Sequence, residues 1–124
     1  MYGGETPEEL ESRIRSHASL WDLAVTFQQY DLLGGMVGAV NAASTGSSGL
    51  VINPGGFSHT SVALLDAMRG FHGPVVEVHI SPIHRREPYR HRMLTAQGAD
   101  AVISGAGIQG YISAIDIIRE ILRR

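Results

Sequence analysis

The sequence has no cysteine among its 124 residues, so it can form neither a disulfide framework nor a thiolate metal site. It also has no apolar run long enough to span a membrane and no signal peptide, and we therefore expect a cytoplasmic protein. Charged residues make up only 18% of the chain and the formal net charge is −2, which argues against a general nucleic-acid binder. The 44% of hydrophobic residues is typical of one globular domain, spanning residues 1–124.

Segments with strand character alternate with segments of helical character along the chain. We predict four strands, at residues 24–28, 50–53, 74–80 and 101–105, and helices that begin at Thr6, near residue 32, at Ser58, near residue 87 and near residue 111. This alternation predicts an α/β fold, a parallel sheet with helices on both faces. Because the chain begins with a helix, the sheet lacks the usual first, central strand. The strands at residues 24 and 50 should then become neighbours, unless a partner chain donates a strand.

Three polar clusters follow predicted strands. They are Asn53 to His59, the segment from His79 to Arg90 within VVEVHISPIHRREPYRH, and the turn GAGIQG at residues 105–110. In open α/β sheets, ligands bind beyond the carboxyl ends of the strands. The sequence therefore predicts a ligand site where these clusters meet.

The chemistry of this site depends first on His79, which ends an apolar strand. It is either a proton donor and acceptor at neutral pH or a satisfied core histidine, and Glu77 could orient it or be solvated. The arginines that follow would suit a carboxylate ligand. The spacing of His79, His84 and His91 fits no usual metal site, and GAGIQG departs from the dinucleotide fingerprint, so we predict neither a metal nor a dinucleotide.

Three segments, LVINPGGFSHTSVALLDAM, PVVEVHISPIHRREPYRH and GAGIQGYISAI, resemble type II dehydroquinases, the 3-dehydroquinate dehydratases of the shikimate and quinate pathways. The resemblance runs from about residue 25 to the C-terminus. It implies a flavodoxin-like three-layer fold, assembled as trimers or as a homododecamer. It also implies a lyase that converts 3-dehydroquinate to 3-dehydroshikimate by anti elimination through an enolate, with no metal and no cofactor.

Carried over position by position, the resemblance implies that His79 is the general acid for the departing hydroxyl and that Tyr2 is the base. The other implied roles are binding and support. Ile80 and Ser81 would hold the substrate carboxylate, Asn53, His59 and Arg90 the ring hydroxyls, Glu77 and Arg86 would support the site, and Asp66 would approach the site of a neighbouring subunit.

The chain departs from the family pattern near its start. The family begins with a strand ending in N-G-P-N-L-N-x-L-G and continues with a lid that carries an arginine, and neither has a counterpart here. Three interpretations follow: a dehydroquinase that has lost its N-terminus, a paralogue that binds a cyclic polyhydroxy carboxylate or a protein partner without turnover, and a related lyase that acts on a different polyhydroxy acid with another residue as its base. Family membership and dehydratase activity are the interpretation that we favour.

Overall fold

The computed structural model describes residues 4–124. In this part of the chain the elements follow one another as α1 (Pro7–Ser19), α2 (Leu33–Ala43), β1 (Leu50–Ile52), α3 (Val62–Gly70), β2 (Val75–His79), β3 (Ala101–Ser104) and α4 (Gln109–Leu122). Short 3-10 turns lie at Gly55–His59, Ile83–Arg85, Pro88–His91 and Thr95–Gly98. None of the helices described is long and apolar enough to cross a membrane.

The three strands form a parallel sheet in the order β1-β2-β3. The register pairs Leu50 with Val75 on one side of β2, and His79 with Ser104 on the other. Every residue of β2 is buried, which explains its run of valines, since a central parallel strand is covered on both faces.

Successive residues of β2 face opposite layers of the fold. Val75 belongs to the core formed with α2 and α3, whereas Val76 and Val78 belong to the core formed with α4. Because side chains alternate along a strand, Glu77 and His79 lie on the same face as Val75. The predicted α/β architecture, with helices on both faces of a parallel sheet, is confirmed.

The start of α1 follows the prediction. Thr6 is the N-cap, its hydroxyl accepts a hydrogen bond from the Glu9 amide at 3.1 Å, and Pro7 occupies the first helical position. A proline is tolerated there because the first amides of a helix have no intrahelical acceptor.

The strand predicted at residues 24–28 is wrong, because this segment is not part of the sheet and the sheet has three strands rather than four. Leu23, Val25 and Phe27 are half-buried against the core of α1 and α4. Every second side chain of this segment is therefore directed at the core, as it would be in a strand. A strand also needs a ladder partner, and β1 pairs only with β2 in the described part of the chain. The predicted adjacency of this segment to β1 is therefore also wrong.

Two helix predictions are corrected as well. Helix α3 is capped by Ser61, whose hydroxyl accepts from the Leu64 amide at 2.9 Å, while the Ser58 hydroxyl donates to the Gly55 carbonyl within a separate 3-10 turn. The helix predicted over residues 87–97 is two 3-10 turns instead. Arg92 between them is extended, and its carbonyl lies 2.9 Å from the His59 ring rather than in an intrahelical bond.

Candidate active site

A cavity of about 190 Å³ opens beyond the carboxyl ends of β1 and β2. Its lining consists of Asn53, Gly55, Gly56, His59, His79, Ile80, Ser81, Ile83, Arg86 and Arg90. A larger groove, of about 470 Å³, lies between α1 and α4 and is more open to solvent. We place the site at the smaller cavity because it is the one where polar side chains converge at the strand ends, as expected for an open α/β sheet.

Asn53 is fixed at the end of β1 by two hydrogen bonds. Its side-chain oxygen accepts from the Gly55 amide at 3.0 Å, and its Nδ2 donates to the Tyr111 hydroxyl at 2.9 Å. The first bond closes a tight Asx turn, in which Gly55 has a φ of +57°, a conformation that favours glycine. These bonds hold the amide of Asn53 at the cavity wall.

His59 is buried and ends the 3-10 turn that follows β1. Its Nδ1 lies 2.9 Å from the carbonyl oxygen of Arg92, so Nδ1 carries the proton and donates it to that bond. The ring of Tyr89 meets it edge-on, with centroids 6.2 Å apart. The opposite nitrogen, Nε2, is left to interact with a ligand.

Below the cavity, Glu77, His79 and Thr95 form a buried hydrogen-bonded chain. His79 Nε2 lies 2.7 Å from one carboxylate oxygen of Glu77, and the Thr95 hydroxyl donates to the other at 2.5 Å. Glu77 and Thr95 are fully buried and His79 is only 7% exposed. The tautomer with a proton on Nε2 is therefore required, and Nδ1 becomes the ring nitrogen available to a ligand.

The loop after β2 is held by backbone bonds from the last strand and its turn. The amides of Gly105 and Gly107 donate to the carbonyls of His79 and Ile80, at 3.1 and 3.0 Å. Within the GAGIQG turn, these glycine amides thus shape the site, although none of its residues lines the cavity. Sequence reasoning placed this turn at the right edge of the sheet but made it a binding element.

The cationic side of the cavity is formed by Arg86 and Arg90, with Glu87 between them. Arg90 Nε donates to Glu87 at 2.8 Å, and Arg86 Nε lies 3.9 Å from the same oxygen. A hydrogen bond from its own backbone, followed by the bond from Arg90, holds the pKa of Glu87 below its ordinary 4.5. The same pair raises the pKa of Arg90. Because an arginine side chain keeps its proton in proteins, both guanidinium groups bring positive charge to the cavity.

Seven of the residues predicted for the site lie around this cavity: Asn53, His59, His79, Ile80, Ser81, Arg86 and Arg90. Glu77 lies directly beneath, bonded to His79. Asp66 is exposed on α3 and does not line the cavity. Tyr2 lies outside the described residues.

Two residues at the site, Thr95 and Tyr111, were missed. A search for the partner that a buried Glu77 requires would have pointed to a nearby hydroxyl donor such as Thr95. No sequence signal links Tyr111 to Asn53, since they are 58 positions apart.

Among residues 4–124, no cluster of three or more histidine, aspartate or glutamate side chains is placed to hold a metal ion.

Known proteins are similar to this chain in sequence and in architecture. The family model for class II dehydroquinases matches residues 1–119. A 3-dehydroquinate dehydratase of Bartonella tribocorum is 48% identical over 118 residues, which cover 95% of this chain and 79% of that protein. One of Streptomyces coelicolor is 43% identical over 119 residues, 95% of this chain and 76% of that protein.

Solved structures agree with these relatives. The type II dehydroquinase of Propionibacterium acnes superposes with a TM-score of 0.90 at 32% identity, covering 97% of this chain and 83% of that one. A 3-dehydroquinate dehydratase-like protein of Bifidobacterium longum gives a TM-score of 0.78 at 27% identity, with 95% and 89% covered. With a family match across most of its length and relatives this similar, the chain belongs to the class II dehydroquinase family.

Proposed function

We propose that this chain is a 3-dehydroquinate dehydratase, a hydro-lyase that removes water from 3-dehydroquinate to give 3-dehydroshikimate. Family membership and relatives named for this activity support the assignment. The observation that carries it is the cavity at the strand ends, where a buried Glu77–His79 pair and two arginines converge. Such a site combines a proton donor with an anion-binding wall, which is what a dehydration of a carboxylated ring requires.

The cavity is proposed to take a single small ring that carries a carboxylate and hydroxyls. Ile80 and Ser81, on the loop after β2, are assigned to the carboxylate. Asn53, His59 and Arg90 are assigned to the ring hydroxyls, which suits the amide of Asn53, the free Nε2 of His59 and the guanidinium of Arg90. Arg86 adds a second positive charge that attracts the anion.

The reaction is an anti elimination in two steps. In the first, a base removes a proton from the carbon next to the ring ketone, and the electrons of that C–H bond form an enolate. In the second, the enolate electrons re-form the ketone and make the new C=C bond, and the hydroxyl departs with its bonding pair. It accepts a proton from Nδ1 of His79, the ring nitrogen that is not bonded to Glu77, and leaves as water, so no cofactor is consumed.

Glu77 supports this step because its carboxylate, 2.7 Å from the ring of His79, compensates the charge that the ring carries while it holds the proton.

The proposed base is Tyr2. A tyrosine hydroxyl ordinarily titrates near pH ~10 and needs a cation close by to act at neutral pH.

The assembly and the location of the protein are proposals of the same kind. We propose a homo-oligomer, a trimer or a dodecamer, in which Asp66 of one subunit approaches the cavity of the next. The exposed position of Asp66 on α3, away from its own cavity, is compatible with a role in a neighbour. The cytoplasm stays the predicted location.

The test is to mix the purified 124-residue chain with 3-dehydroquinate and follow the ultraviolet absorbance of the conjugated enone product, with substrate binding measured in parallel by calorimetry. Product that accumulates catalytically supports the proposal. Saturable binding without product would overturn the assignment of activity in favour of a binding protein of the same family. The absence of both product and binding would overturn the assignment of the cavity as well.

A further inference from the structure

We propose that Thr95 is a positioning residue for His79 and acts on it through Glu77. This inference rests on the proposed dehydratase function, in which His79 gives its proton to the leaving hydroxyl. Thr95 lies outside the cavity lining, and its hydroxyl is joined to the site by its hydrogen bond to the Glu77 carboxylate.

The geometry assigns one donor to each oxygen of Glu77. The Thr95 hydroxyl donates to Oε1 at 2.5 Å, and His79 Nε2 donates to Oε2 at 2.7 Å. All three side chains are almost completely shielded from solvent, with Glu77 and Thr95 at 0% exposure. Water from bulk solvent cannot therefore replace either donor without opening the core.

Because Glu77 is buried, its carboxylate depends on the hydrogen bond from the Thr95 hydroxyl. A carboxylate removed from water is stable only when its oxygens are hydrogen-bonded. If the hydroxyl is removed, Oε1 is left unsatisfied, and Glu77 must either rotate towards another donor or give up its charge. Either response weakens the bond that fixes the tautomer and the orientation of the His79 ring.

The backbone around Thr95 is held rigidly enough to place this hydroxyl. Thr95 begins the 3-10 turn Thr95–Gly98, which packs against α3. At Gly98 an added Cβ would lie 3.1 Å from Leu65 Cδ1 and from Met68 Cβ. The turn therefore packs so closely against α3 that a larger residue at this position would be crowded. A β-branched threonine on such a turn also has few χ1 rotamers. The hydroxyl is therefore placed by packing rather than by the hydrogen bond alone.

The experiment compares Thr95→Val, which keeps the shape of the side chain and removes the hydroxyl, with Thr95→Ser, which keeps the hydroxyl. We expect Thr95→Val to lower kcat about tenfold with KM changed less than about twofold, and Thr95→Ser to stay within about threefold of the unmodified chain. Thr45→Val, which removes a hydroxyl that donates to the nearby Ala42 carbonyl at 3.0 Å in the segment between α2 and β1, serves as the control for hydroxyl deletion.

A double-mutant cycle with Glu77→Gln identifies the route of the effect. If Thr95 acts through the Glu77 carboxylate, adding Thr95→Val to Glu77→Gln lowers kcat by less than about twofold. A full tenfold loss in both backgrounds, or wild-type kcat in Thr95→Val alone, would overturn the proposal.

A readout that needs no turnover separates this proposal from the proposed function. The ¹⁵N spectrum of His79 reports which ring nitrogen carries the proton, whether or not 3-dehydroquinate is converted. We expect a protonated Nε2 in the unmodified chain and in Thr95→Ser, and a redistribution of the proton in Thr95→Val. Identical His79 spectra in all three proteins would refute a positioning role, even if the chain proves fully active.

Discussion

At the scale of single residues, the cavity is lined by side chains whose hydrogen bonds within the protein already fix their orientation. Asn53 is held by Gly55 and Tyr111, and His59 by the carbonyl of Arg92. A site prepared in this way loses little side-chain entropy when a ligand binds. Residues that hold these side chains should therefore affect binding although they do not line the cavity.

Tyr111→Phe tests this expectation, since it keeps the ring and removes only the hydroxyl that accepts from Asn53 Nδ2 at 2.9 Å. We expect kcat/KM to fall about three- to tenfold, mostly through a higher KM, because the Asn53 amide loses the partner that orients it. Steady-state kinetics on 3-dehydroquinate measure this change. Tyr30→Phe, outside the cavity lining, is the matched control, and an unchanged KM in Tyr111→Phe would show that Asn53 needs no such support.

At this scale the sequence led to the right cavity residues but not to the ones beneath them. His79 and Asn53 lie in long family motifs, which can be read without a structure. Thr95 and Tyr111 act through contacts between distant parts of the chain, and no local pattern encodes such a pairing. Glu77 needs two hydrogen-bond donors because its carboxylate is buried. That burial becomes known only once β2 is placed between its neighbouring strands.

At the scale of elements, α1 is joined to α4 by an apolar core and by a polar cluster at its C-terminal end. Asp116 on α4 accepts hydrogen bonds from the His17 ring at 2.7 Å and from the Trp21 indole at 3.0 Å. The guanidinium of Arg119 lies 3.7 Å from the centre of the Trp21 ring. These contacts fix the end of α1 and with it the start of the segment that failed to form the predicted strand.

The pH dependence of stability should reveal this cluster. Burial alone would raise the pKa of Asp116, but the hydrogen bonds from His17 and Trp21 outweigh it and hold the pKa below its ordinary 3.8. A lowered carboxyl pKa stabilises the fold above the ordinary value, and that stabilisation is lost as the pH falls through the lowered value. Since the Asp116 side chain is half exposed, solvent screening limits the gain to under about 1 kcal/mol.

We therefore expect Asp116→Asn to lower the free energy of unfolding slightly at pH 7, with the difference from the unmodified chain vanishing below the folded-state pKa of Asp116. Urea unfolding followed by the fluorescence of Trp21, the one tryptophan in the sequence, gives this difference at each pH. Glu120→Gln, on the same helix but in a loose exposed pair with Arg123, is the control. A deficit in Asp116→Asn that persists at the lowest pH would contradict the electrostatic origin.

Helices and strands were predicted well where the sequence pattern and a buried partner agree, as in the amphipathic helix α1 and the fully buried strand β2. The segment at residues 24–28 has the alternation of a strand, but the pattern records one-sided burial and cannot supply a ladder partner. Residues 87–97 were misread because the Arg92 carbonyl is bonded to His59, a tertiary contact that competes with the helix. Leu122, the last residue of α4, is 44% exposed although its helix is amphipathic, because it lies beyond the end of the core.

At the scale of the whole molecule, exposed apolar side chains accompany the proposed intersubunit residue. Val62 is 59% exposed on α3, one turn before the exposed Asp66. We expect the chain to sediment at three or twelve times the 13.4 kDa of one chain, and Asp66→Ala to lower kcat/KM in that oligomer without changing its mass. A fully active species of 13.4 kDa in sedimentation velocity at assay concentration would contradict a site shared between subunits.

The most direct test of the central claim is the turnover number of His79→Ala beside that of His72→Ala. His72 is an exposed histidine stacked on Phe71, so its replacement controls for the loss of an imidazole away from the cavity. If His79 protonates the departing hydroxyl, kcat for 3-dehydroquinate falls by at least about 100-fold in His79→Ala and by less than about twofold in His72→Ala. A His79→Ala variant that turns over as fast as the unmodified chain would contradict the assignment of His79 as the group that protonates the departing hydroxyl.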